Sequence, residues 1–509
     1  MFPVGFRAAE LRMSRGLEEA ARRYGDHDAL RFDEQRLTFG EIDRLSNAFA
    51  AVLRSRGVSA RQRVAVMMGN RPEFVIAVYA ISKLNAAAVL VSPAWKALEV
   101  GHALQITGAA YAIADASTAP LLVDGLGSES VYDLDASPIL GGLEGTEGAI
   151  EAPDPGPVRE SDEAVLVFSS GTTGLPKAVR HTHASICAGT SHWVASLGLG
   201  PDDRFQVATP PSHILGLLNL LAAAEAGATV RLHRRFDLDE LLRRIAEERM
   251  TLEMAVAPIA LAMANHPRLE EYDLSSLRYI MWGATPVTQS VAETVTARSG
   301  VRWLCGYGAS EVPVIAVNPV REPDSWRLDS AGLPPEGVQL RVADLDTGRV
   351  LAPGETGEIQ IRGDSVMAGY LPDEANGDAF ADGWYRTGDV GWLEPEGWVH
   401  LTDRSKEMIK VKGFQVAPAE IEAVLHGHPG VLDCAVFGVP DESAGEMPVA
   451  AVALDPNSAV TTEELQQLVA DSLAGYKRLR EVVVVAQIPR LPSGKVLRRT
   501  LRDAWTPAR

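Results

Sequence analysis

The sequence predicts a large α/β domain of layered sheets with a β-rich subregion, followed by a small α+β domain. Three observations carry that prediction. The 509-residue chain exceeds the size at which a single hydrophobic core keeps growing. Apolar, strand-like runs alternate with amphipathic, helix-like segments through the first half, the pattern of a largely parallel sheet covered by helices. Between residues 354 and 397 the pattern shortens to alternating strands and turns, and from residue 418 a smaller α+β pattern takes over.

In chain order, the first clear helix covers residues 36–55. Thr38 and Glu41 fit a capping box, and Ile42, Leu45, Phe49 and Leu53 fall on one face. Residues 64–68 read as a buried strand, 72–84 as a helix with Pro72 in its first turn, and 88–91 as a further strand. A Gly-, Pro- and acid-rich connection over 144–163 leads into the apolar run 164–168. Three strands, 164–168, 278–282 and 301–305, end in Gly-containing polar turns. Ligands of open parallel sheets bind beyond the carboxyl ends of strands, so one shared site is expected there. Pro418 opens a helix carrying Ile421, Val424 and Leu425; strands follow at 432–439 and 448–454, a second capped helix at 461–475, and a strand at 481–488.

Composition narrows the function. A net charge of −19 argues against a general nucleic-acid or anionic-membrane binder, so a polyanionic ligand must meet local basic clusters. One such cluster is Arg404, Lys406, Lys410 and Lys412, followed by Gly413 and Gln415. The three cysteines lie far apart without metal spacing, which favours a reducing compartment and core packing. The N-terminus lacks a secretory pattern, and the most apolar stretches are broken by Lys83 and Glu225. A cytoplasmic protein without a membrane span is expected, and the sequence specifies no oligomeric state.

The central motif is residues 169–179, SSGTTGLPKAV. Gly171 and Gly174 let backbone N–H groups approach an anion, while Ser169, Ser170, Thr172, Thr173 and Lys177 supply hydroxyls and a charge. Taken singly, it also reads as a turn between two strands. The Walker phosphate loop is excluded by spacing, and Ala178 stands where that motif holds its magnesium-binding hydroxyl.

Together with residues 307–311, 385–389, 403–416 and 491–495, this stretch resembles the adenylate-forming superfamily of AMP-binding enzymes. That superfamily comprises acyl- and aryl-CoA synthetases, amino-acid adenylation domains and firefly-type luciferases, and the resemblance covers nearly the whole chain in the family's order. It implies a two-step ligase. A carboxylate attacks the α-phosphate of ATP to give acyl-AMP and pyrophosphate, and the thiol of coenzyme A then attacks the acyl carbon.

By the same resemblance, Thr172, Thr173 and Lys177 hold the β- and γ-phosphates, Ser310 bonds the α-phosphate and Glu311 coordinates Mg2+. Asp389 receives the ribose hydroxyls with Arg404 beside it. Tyr307 lies against the adenine, and Gly308, Gly283, Ala284 and Thr285 are further nucleotide-binding positions. Lys495 bridges the α-phosphate and the reacting carboxylate. His213, Gly216, Trp282, Val312, Val314 and Ile315 are expected around an apolar acyl pocket, which suits a fatty or aryl acid because each buried methylene contributes about 0.8 kcal/mol. The family's small domain is mobile, so the division expected here is 1–402 and 403–509 with a hinge at Lys406. Lys410, Gly413 and Gln415 then lie on the face that completes the thioester site.

Three departures stand out. Ala178 replaces the family's usual glycine, Ser310 its commoner threonine, and residues 85–87 lack a glycine often found there. Two other readings are distinguishable. An enzyme loading an amino acid onto a carrier-protein thiol needs a carboxylate near residues 211–213 for the α-amino group, and there is none. A catalytically inactive nucleotide sensor would not need Lys177, Glu311, Asp389, Arg404 and Lys495, all of which are present.

Overall fold

The computed structural model describes residues 12–139, 151–169, 175–283, 289–404, 407–411, 414–441, 444–490 and 494–505. It has the expected α/β architecture, with a large N-terminal domain and a smaller C-terminal one. Local signals place many elements. Thr38 caps the helix Phe39–Ser55 with both bonds of the capping box, and Ile42, Leu45, Phe49 and Leu53 are buried. Pro72 opens the helix Pro72–Lys83, which is buried on every face. It therefore packs between layers rather than on the outside.

The main sheet has seven strands in the order Gly369–Leu371, Lys177–Thr182, Glu163–Ser169, Ala87–Leu90, Arg63–Met67, Tyr111–Ala114 and Val131–Asp133. Its last five members are parallel, while Lys177–Thr182 and Gly369–Leu371 each run antiparallel to their inner neighbours. The central motif is thus the connection of a β-hairpin whose final ladder pair is Ser169 with Lys177. Residues 170–174 lie outside the described residues.

The three Gly-terminated strands come from two sheets. Tyr279–Trp282 and Trp303–Tyr307 belong to a separate four-stranded sheet with Leu252–Ala255 and Ala316–Val317. Another four-stranded sheet, Gln35–Thr38, Asp28–Phe32, Thr229–Leu232 and Arg204–Val207, completes the layers. The β-rich subregion is a five-stranded sheet including Gly357–Arg362, Trp384–Leu393 and Val399–Arg404. Its ladder pairs Asp389 with Arg404.

In the C-terminal domain, Val431–Asp441 and Gly445–Leu454 form the central pair, with Glu481–Val484 parallel to the second. The capped helix ends at Ser472 and the last strand at Val484, both earlier than expected. The basic segment forms a small hairpin in which Lys410 faces Gln415.

A buried polar chain joins the two four-stranded sheets. Gln206 donates its amide to Glu253 at 2.8 Å, and its carbonyl accepts from His233 at 2.7 Å. Burial pushes Glu253 up to about 8 and His233 down to about 4, so both are neutral near pH 7. Between the ordinary carboxyl range and pH 8 the unfolded chain sheds a proton that Glu253 keeps, so stability falls as pH rises. For His233 the loss comes as pH drops toward 4. Glu253→Gln, which retains size and an acceptor, is expected to raise Tm by a few degrees at pH 8, with the gain vanishing near pH 4.5. A Tm difference independent of pH in thermal melts would contradict this assignment.

Candidate active site

A cavity of about 1180 Å³ opens where the seven-stranded sheet, the sheet containing Tyr279–Trp282, the β-rich sheet and the C-terminal domain meet. Its wall brings together Ser169, Lys177, His213, Gly283, Tyr307, Gly308, Ser310, Glu311, Asp389 and Lys495. Each arrives by a local device.

Ser310 and Glu311 ride on a tight turn closed by the Ala309 N–H donating to the Val312 carbonyl at 2.9 Å. At Gly308 an added Cβ would stand 2.2 Å from the Pro313 oxygen, so only glycine fits the start of that turn. His181 holds the Ser310 carbonyl through Nε2 at 2.8 Å and accepts from the Ser185 hydroxyl through Nδ1 at 3.1 Å. Burial pushes this imidazole down to about 4, which keeps it neutral.

Asp389 reaches the cavity through an irregularity in Trp384–Leu393. The register against Gly357–Arg362 jumps between Glu358 and Gln360, and Gly388 sits at φ 69°. Such a bulge re-aims the side chain that follows it. Glu358, itself buried and paired with Arg386 at 2.8 Å, accepts the Gly388 N–H and fixes the turn. The Asp389 carboxylate accepts the Tyr307 hydroxyl at 2.5 Å.

Lys495 follows Gly494, whose carbonyl accepts from the Arg490 guanidinium at 2.9 Å while the same guanidinium binds Asp433 at 2.8 Å. Gly494 adopts φ 85°, and an antiparallel bridge pairs Arg490 with Val496. His213 caps the helix Ile214–Ala226 by accepting the Leu215 N–H at Nδ1, 3.4 Å away. Burial pushes it below the ordinary imidazole range, so it faces the cavity uncharged.

Five expected pocket residues lie elsewhere. Successive residues of Tyr279–Trp282 alternate faces, so Met281 and Gly283 line the cavity, whereas Trp282 packs on Trp303 with centroids 5.1 Å apart in a different core. Val312 and Val314 are fully buried in the main core with Ile315, and Pro313 faces the cavity between them. Gly216 serves packing: a Cβ there would stand 2.5 Å from the Pro210 oxygen, so it lets the helix approach the Pro210-Pro211 turn.

Lys410 is an exposed residue of the small hairpin and does not line the cavity, its backbone N–H donating to Glu446 at 2.8 Å. Ser170, Gly171, Thr172, Thr173, Gly174, Ala284, Thr285, Lys406 and Gly413 lie outside the described residues, as do the side chains of Arg404 and Gln415.

Sequence reasoning missed Tyr370 and Tyr385. Tyr370 donates to Glu311 at 2.7 Å, its hydroxyl lies 3.2 Å from that of Tyr385, and its ring lies 5.1 Å beneath the Lys177 ammonium. Burial, with Glu311 nearby, pushes Tyr385 well above the usual phenol range, so it remains a neutral hydroxyl. No spacing signal marks Tyr370, because it reaches the site by strand pairing with Val179, a residue distant in sequence.

Comparison with known proteins accords with this geometry. The family model described as AMP-binding enzyme matches residues 17–371, and that described as AMP-binding enzyme C-terminal domain matches 420–495. The chain is 34% identical over 489 residues to 4-coumarate–CoA ligase 2 of Solanum tuberosum, covering 91% of this chain and 88% of that protein. Among solved structures, o-succinylbenzoate CoA synthetase from Bacillus subtilis with its acyl-adenylate intermediate aligns with TM-score 0.85 and 30% identity, covering 97% and 99% of the two chains. ATP-bound MatB from Rhodopseudomonas palustris aligns with TM-score 0.89 and 25% identity, covering 98% and 99%.

Fold, cavity and matches define the class: an ATP-dependent, AMP-forming ligase that joins a carboxylic acid to coenzyme A through an acyl-adenylate. The chain belongs to the AMP-binding enzyme family, in its acyl- and aryl-CoA synthetase branch.

Proposed function

We propose that the acid is a monocarboxylate with an uncharged apolar tail, aryl or fatty and of moderate length. The supporting observation is the cavity wall around His213. Trp193, Ile214, Leu215, Leu218, Met254, Val256, Met281 and Pro313 line the same cavity as His213, and its described lining cations are spoken for: Lys177 and Lys495 by the phosphates and the reacting carboxylate in this reading, Arg386 by Glu358. A charged tail would enter without a counter-ion, at a cost of several kcal/mol. Met254 and Met281 give the wall side chains that adapt to differing shapes.

In this reading Lys177, with Thr172 and Thr173, grips the β- and γ-phosphates, and Ser310 donates to the α-phosphate. Asp389 and Arg404 take the ribose, Tyr307 lies against the adenine, and Gly308 is a further nucleotide-binding position. Lys495 neutralises charge developing between the attacking carboxylate and the α-phosphate. Magnesium fits beside Glu311, since a hard cation takes one carboxylate together with phosphate oxygens. When bound, it would offset charge on the departing pyrophosphate. With the acyl-adenylate formed, the small domain turns about Lys406 and presents Lys410, Gly413 and Gln415 for the attack of coenzyme A. The boundary proposed is 402/403, close to where the β-rich ladder ends at Arg404.

The test is ATP–pyrophosphate exchange over a panel of aryl, fatty and dicarboxylic acids, followed by thioester detection with coenzyme A. Exchange is expected with apolar monocarboxylates, at rates at least tenfold above those of dicarboxylates of equal length. Preference for a dicarboxylate would sink the substrate assignment.

A further inference from the structure

Phe168 stands at the end of the strand entering the phosphate loop, and Pro176 just before Lys177 on the strand leaving it. The described ladder runs through Phe168 with Ala178 to Ser169 with Lys177, so Lys177 sits on a rung next to the loop, where side chains from outside the hairpin can brace it. Two side chains from one other segment meet the hairpin there. Trp95 packs edge-on against Phe168, with centroids 4.9 Å apart and planes at 69°. His102 reaches the Pro176 carbonyl through Nε2 at 3.0 Å. A carbonyl only accepts, so Nε2 carries the hydrogen.

The segment that bears them is well anchored. Residues 95–102 enter the helix Ala97–Thr107, whose Val100, Ala103 and Leu104 are buried in the core that also contains Leu166 and Ala178. The same segment contributes Trp95 and Glu99 to the cavity wall. One rigid element therefore touches the core beneath the hairpin and both of the loop's ends.

We propose that residues 95–102 form a clamp that braces the Ser169–Lys177 rung from both of its strands and so holds Lys177 in place, with Trp95 and His102 as positioning residues for the triphosphate. The proposal rests on the reading of Lys177 as a phosphate ligand. Loss of the clamp lets Lys177 drift relative to the phosphates, and misplacement on the ångström scale is enough to weaken a bound transition state substantially. The second half-reaction starts after pyrophosphate has left, so it does not depend on this clamp.

The experiment compares His102→Ala, His102→Gln, Trp95→Ala and Lys177→Ala with the parent enzyme in two assays: ATP–pyrophosphate exchange, and thioester formation from supplied acyl-adenylate and coenzyme A. His102→Ala and Trp95→Ala are expected to raise KM for ATP and for pyrophosphate roughly tenfold. KM for the acid and the thioester rate should stay within about twofold. His102→Gln, which keeps an N–H donor, is expected to recover most of the loss. Unchanged nucleotide KM in both alanine variants, or equal loss in the two assays, overturns the clamp. If Lys177→Ala raises the KM for ATP while the His102 and Trp95 variants do not, the clamp alone fails. If Lys177→Ala leaves that KM at the parent value, the reading of the loop fails and the clamp with it.

Discussion

Lys495→Ala is expected to lower acid-dependent ATP–pyrophosphate exchange by about 10²- to 10³-fold while leaving thioester formation from supplied acyl-adenylate close to the parent rate. The lysine lines the cavity from the C-terminal domain, and removing it takes a positive charge from the place where negative charge builds up in the first step. Arg490 donates to the carbonyl of the preceding Gly494, a backbone contact that the alanine variant keeps. Comparable losses in both half-reactions would show that Lys495 serves the whole domain arrangement rather than one chemical step.

Glu311→Gln should produce a second loss of similar size, about 10²- to 10³-fold in exchange, with Tm unchanged to within roughly 2 °C. The amide oxygen can still accept the Tyr370 hydroxyl that Glu311 accepts at 2.7 Å, so the substitution removes charge and little else. A higher midpoint for magnesium activation should accompany the lower rate. A variant with normal exchange and a normal magnesium midpoint would reduce Glu311 to a structural partner of Tyr370.

Short-range physics was readable in the chain. The capping box at Thr38, Pro72 in a first turn and the apolar runs before Gly-rich turns all depend on neighbours a few residues apart, and they place helices and strands near where the structure has them. Motif residues such as Lys177, Ser310, Glu311, Asp389 and Lys495, read through their resemblance to a family, converge on one cavity. The pairing of distant strands was not readable, so the sequence did not show that two sheets supply the three Gly-terminated strands.

Trp282 is a different kind of miss. The two-residue period of an extended strand puts Met281 and Gly283 on one face and Trp282 on the other, so the signal was present and a large aromatic next to a site turn obscured it. Tyr370 carried no comparable signal. A tyrosine between Gly369 and Leu371 says nothing local about Glu311, and only a completed sheet brings the two together.

The strand Gly369–Leu371 has a consequence beyond holding Tyr370. Without it, Lys177–Thr182 would end the seven-stranded sheet with a row of open N–H and C=O groups, the kind of border on which another chain can add itself. A three-residue border followed at once by Pro372, which has no N–H to offer, is a poor template for such growth. The same three residues thus guard the protein against self-association through its main sheet, and a substitution that loosens them would appear first as aggregation at high protein concentration.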